Sequence, residues 1–121
     1  MPITRLREIA HVKQTSAQLR RRWWTSPSMD LYVWQEPNAR IAAFELCYDK
    51  PHDEHSLRWD AAHGYRHSRI DDGEATAFDQ QTPMAVADGH YRLEDIALRF
   101  ESAAAEVEPV VFRTVLGVLQ P

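Results

Sequence analysis

The chain has 121 residues, 44% hydrophobic and 26% charged, with a formal net charge of −4 and one cysteine. That length and composition fit a single domain, residues 1–121, large enough to bury a core without disulfide staples. They exclude an intramolecular disulfide and a membrane-spanning helix, because the longest nearly apolar run, Val110 to Leu119, is short and broken by Arg113 and Thr114. No apolar stretch of a secretory signal follows Met1, so a cytoplasmic location is the expectation.

Charge is spread unevenly. Residues 1–22 carry six basic groups and one acidic group, whereas residues 23–121 carry eight basic and seventeen acidic. Either the first segment lies on its own acidic body or it is a basic arm for a partner, and the first is favoured because such asymmetry in a small domain usually settles internally. Ile3, Leu6, Ile9 and Ala10 fall at helical spacing and predict an N-terminal helix, weakened by Thr15 and Ser16. Arg20-Arg21-Arg22-Trp23-Trp24 leads to a turn at Ser26-Pro27-Ser28. Arginines beside aromatics can contact phosphates and stack bases, but three arginines on an acidic body disfavour nucleic acid, and a strand with Trp23 or Trp24 in the core is the simpler reading.

Asp30 to Trp34 alternates with bulk on both faces, as in a central strand with Tyr32 and Trp34 half covered. Glu36–Ala39 connects it to Arg40–Tyr48, where Phe44, Leu46 and Tyr48 share one face, and the two strands read as an antiparallel hairpin. Pro51 to Glu74 then holds four of the six histidines, His52, His55, His63 and His67, among six acids and three arginines. A two-residue turn at His63-Gly64 predicts a second hairpin with Leu57 opposite Ile70, Trp59 opposite Ser68 and Asp60 opposite His67. The same register puts Arg58 opposite Arg69, an unfavourable like-charge pair. Asp71-Asp72-Gly73-Glu74 reads as a turn, 75–82 as a loop and Pro83–Ala87 as a short edge strand ended by Asp88-Gly89. Leu93, Ile96, Ala97, Phe100 and Ala104 follow a helical period with acids at the start. Beyond Pro109, Val111, Val115, Leu116 and Leu119 do the same, with a strand as the alternative because β-branched residues abound. Strands followed by helices predict an α+β domain: an antiparallel meander of four to six strands with one or two C-terminal helices on one face.

Three chemistries compete. His67 paired with Asp60 would serve as a general base, with Arg58 and Arg69 holding an anionic substrate and Asp71 a further ligand-binding residue. His55 and His67 could ligate a metal, although the spacing matches no established pattern and straddles a turn. Trp34 and Trp59, with Phe44 and Tyr48, could line an aromatic pocket. Cys47 reads as a small buried hydrophobe. No catalytic signature or Gly-rich phosphate loop accompanies these residues, and the sequence names no cofactor. The leading expectation is a non-enzymatic module, expected as a homodimer, that binds a small ligand or protein partner through its sheet. An enzyme or metal protein using the cluster at 52–74 is the alternative, and nucleic-acid binding the third reading.

Overall fold

The computed structural model describes residues 5–50, 54–69 and 92–120. Its six strands, β1 (Arg7–Glu8), β2 (Arg20–Thr25), β3 (Met29–Gln35), β4 (Ile41–Tyr48), β5 (His55–Asp60) and β6 (Gly64–Arg69), form one antiparallel sheet in the order β1-β2-β3-β4-β5-β6. Two helices follow, α1 (Leu93–Ala103) and α2 (Pro109–Leu119). The arrangement is the expected α+β meander with C-terminal helices. No helix among the described residues is long and apolar enough to cross a membrane. Ile70, the Asp71–Glu74 turn, the 75–82 loop, the Pro83–Ala87 strand and His52 lie outside the described residues.

Alternation gives the sheet two unlike faces. On one face Trp24, Leu31, Val33, Phe44, Leu46 and Leu57 have no solvent exposure. They pack with Ile96 and Phe100 of α1 and Val111, Val115 and Leu119 of α2 in a single cluster. Each large side chain fully buried there contributes about 1.5–3 kcal/mol relative to exposure. Both helices therefore sit on this face. Glu94 and Asp95 occupy the first turn of α1, where they complement the helix dipole. Pro109 opens α2 at a position whose N–H has no helical partner, which decides for a helix over a strand.

The N-terminal helix does not form. Leu6 is fully buried, its N–H donates to Ala103 O at 2.8 Å, and Arg7–Glu8 pair with Trp24–Thr25 as a two-residue strand. The exposed backbone edge of β2 offers hydrogen bonds that a short, weakly amphipathic helix could not match. Arg20–Thr25 is a strand with Trp24 in the core, and two of the six basic groups of the N-terminal segment pair with acids of the molecule itself, Arg5 with Glu106 and Arg22 with Glu8 and Glu108.

The β5–β6 register also differs from the expected one. Leu57 lies opposite His67, Trp59 opposite Tyr65, and Asp60 opposite Gly64. The turn spans Ala61–His63, with Gly64 at φ +77°, a conformation glycine adopts without the strain a Cβ would bring. Asp60 Oδ1 stabilises this longer turn by accepting from the Ala62 and His63 N–H groups at 3.0 and 2.8 Å and contacting the His63 ring at 2.9 Å. Relative to the expected pairing the slip is three residues. An odd slip exchanges the two faces of β6, so His67 moves to the helix-covered side.

Candidate binding face

The face turned away from both helices is a regular grid, because the registers of β2 through β6 align every second residue. One row reads Arg21, Trp34, Ala43 and Asp60; the next Trp23, Tyr32, Glu45, Arg58 and Arg66; the third Thr25, Asp30, Cys47, Ser56 and Ser68. Neighbours within a row stand about 5 Å apart and rows about 7 Å apart. Trp23, Tyr32 and Trp34 are half-buried and Arg58 and Arg66 exposed, whereas Asp30, Cys47 and Ser56 of the third row are buried, so the face is open over its first two rows only.

Asp30 organises one end of the grid. It is nearly buried and accepts from Trp23 Nε1 at 3.1 Å, Thr25 Oγ1 at 2.6 Å and Lys50 Nζ at 2.7 Å. The pinned indole of Trp23 stacks on Tyr32, with centroids 5.7 Å apart and planes 15° from parallel. Arg21 lies over the Tyr32 ring at 5.7 Å, and Arg58 over the Trp34 ring at 5.6 Å. Burial, followed by the charge of Asp30, pushes the Tyr32 hydroxyl up to about 12, so it stays protonated and can only act as a neutral hydrogen-bonding group at neutral pH. Burial, followed by the charge of Glu45, likewise raises the Cys47 thiol, which leaves it a poor nucleophile. Glu45 accepts from Ser56 Oγ at 2.7 Å. The result is a rigid aromatic surface with guanidinium groups at its margin, suited to stacking and charge recognition rather than to covalent chemistry.

The expected site residues divide between the two faces. Trp34, Arg58 and Asp60 belong to the open face. Trp59 lies on the other side, stacked on Phe44 with centroids 5.5 Å apart, so Trp34 and Trp59 do not line one pocket. His67 has 1% exposure and is separated from Asp60 by the sheet, so the expected Asp60–His67 facing pair is replaced by Asp60 with His63. The Arg69 backbone pairs with His55 rather than Arg58. Asp71 lies outside the described residues.

His55 and His67 do come together. Their rings stack at 5.2 Å, both lie against Tyr48, and Tyr48 Oη and His67 Nε2 share a hydrogen bond. Arg99 covers the Tyr48 ring at 5.5 Å and pairs with Asp49. No group of three or more potential metal ligands occurs among the described residues. At the far end of β2, a cleft of about 570 Å³ runs between residues 14–20 and the β3–β4 turn. Arg22 lines it but is already held by Glu8 and Glu108, whose carboxylates raise its pKa against the effect of burial.

Asp30 and Arg66 were not singled out by the sequence, and Trp23 and Tyr32 were read as strand residues rather than as members of a common site. The alternation Asp30-x-Tyr32-x-Trp34 was the available signal, since it places three such side chains on one strand face. No protein-family model, curated protein or solved structure matches the chain significantly.

Proposed function

We propose that this protein is a non-enzymatic binding module whose open sheet face takes a small planar ligand. The observation that supports it is the grid itself: Trp23, Tyr32 and Trp34 lie together on the face opposite both helices, with Trp23 held in place by Asp30. Aromatic surface that is ordered but still accessible binds flat molecules at low entropic cost, because the side chains are fixed before the ligand arrives. Indole N–H resonances provide the test. A panel of flat aromatic compounds should shift the Trp23 and Trp34 signals and leave those of the core-facing Trp24 and Trp59 in place, with Trp34→Ala abolishing the Trp23 shift. Unmoved Trp23 and Trp34 signals, or shifts at Trp59 alone, would overturn the reading.

A second reading, acid–base or metal chemistry at His55 and His67 without Asp60, is favoured by one observation, the meeting of His55 and His67 at Tyr48. It predicts a stoichiometric zinc adduct in a native mass spectrum, lost in His55→Ala; a metal-free spectrum in excess zinc removes its metal form. The same spectrum reads the assembly mass and so tests whether a second copy of the chain is bound.

A further inference from the structure

Arg58 and Arg66 stand directly opposite each other on β5 and β6, both exposed on the open face. Like charges at directly opposed positions destabilise a strand pair. Among the described residues nothing nearby fully offsets the two of them. Glu45, opposite Arg58 on β4, carries one charge and is engaged by Ser56, while Asp60 is held in the hairpin turn by Ala62 and His63. Neither arginine forms an ion pair among the described residues. A like-charged pair kept on an exposed strand face is what an anion site looks like before its ligand arrives, and arginines whose Cβ atoms stand about 5 Å apart can bring both guanidinium forks to the spread oxygens of one phosphate or carboxylate. The indole covered by Arg58 is Trp34, which faces Arg21 on the other side.

Resting on the reading of the open face as a ligand surface, we infer that Arg58 and Arg66 form an anion clamp, and that the ligand is a flat aromatic ring carrying a phosphate or carboxylate. The ring packs on Trp34 while the anion draws Arg58 off the indole and into the gap beside Arg66. Charge complementarity selects this occupant over a neutral ring.

Adenosine 5′-monophosphate, adenosine and inorganic phosphate separate the parts of the ligand, and nicotinate against nicotinamide tests a carboxylate in place of phosphate. Binding is read by calorimetry and by the Trp34 indole N–H signal at low salt. The monophosphate should bind at least about tenfold tighter than adenosine, the scale of one charge-assisted contact, and the preference should shrink as salt is added. Arg66→Thr should bring the ratio to about one while leaving the melting temperature equal or higher, because it removes the repulsion and keeps a good strand former. Equal affinity for adenosine and its monophosphate, with Trp34 shifted by both, overturns the clamp and leaves the binding face standing. An unchanged ratio in Arg66→Thr also overturns it. Phosphate alone binding as tightly as the monophosphate overturns the aromatic half. No response of Trp34 to any of the five compounds removes the clamp and counts against the face itself.

Discussion

Asp60 controls the β5–β6 hairpin through one oxygen. Desolvation works against its charge, but the N–H of His63, the His63 ring and its charge, and the N–H of Ala62 together hold the carboxyl below its ordinary range. A depressed carboxylate adds stability above its unfolded value, about pH 4, and that stability is lost as pH falls through the lower folded value. Asp60→Asn keeps the acceptor oxygen and loses the charge. Wild type should therefore be more stable than Asp60→Asn near neutrality, and the two denaturation midpoints should converge as the pH is lowered below about 4. A gap that is independent of pH would mean that the turn depends on shape alone. Cys47 permits a second check at this scale. Its buried, raised thiol should resist iodoacetamide in the folded protein at pH 8 and react fully once urea unfolds the chain. Rapid labelling of the folded state would place the thiol in solvent.

Among the elements, β2 carries the most diverse load. Trp24 packs into the core, Trp23 joins the open face, and Arg22 ties the strand to its surroundings. The Arg22 guanidinium makes two hydrogen bonds to Glu8 of β1 at 2.8 and 2.9 Å, one to Glu108 before α2 at 2.5 Å, and lies 4.6 Å over the Trp24 ring. Its side chain is only 11% exposed. Arg22→Ala should lower stability by about 1–2 kcal/mol in urea denaturation, since it removes the packing of a mostly buried side chain on Trp24 together with two ion pairs whose carboxylates remain partly exposed. Arg22→Lys should recover only part of this, because an ammonium cannot reproduce the fork. The strands and helices were largely legible in the sequence: the alternation through Leu31–Val33 and Phe44–Tyr48 and the helical period through Leu93–Ala104 report burial directly. The hairpin register was not. The apolar match of Leu57 with Ile70 is a strong local signal, but the turn was set by Asp60 binding backbone two and three residues on, which hydrophobic pattern does not record. That slip also changed the partner of Arg58, since it determines that Arg58 faces Arg66 rather than Arg69 and that His67 is buried. The N-terminal segment was misread for a similar reason: helical spacing over eight residues competes poorly with an open strand edge elsewhere in the chain.

At the scale of the whole molecule, one core joins sheet and helices, so its loss should be felt everywhere at once. Phe44 sits in the centre of that core with no exposure, against Trp59. Phe44→Ala should cost about 3–5 kcal/mol and shift the tertiary and helical signals together, as expected of one cooperative unit. Separate transitions for near- and far-ultraviolet circular dichroism would instead divide the sheet from the helices.

The order of elements has a consequence for synthesis. Every strand of the described sheet precedes both helices, and each pairs with its neighbour in sequence, so the sheet can assemble as it leaves the ribosome. Its apolar face, however, lacks the cover of α1 and α2 until they emerge, and the bond from Leu6 N–H to Ala103 O ties the first described residues to the end of α1. A nascent chain stalled before Leu93 lacks the helices that cover Leu31, Phe44, Leu46 and Leu57, and ribosome-bound intermediates of that length are the species in which aggregation competes with folding.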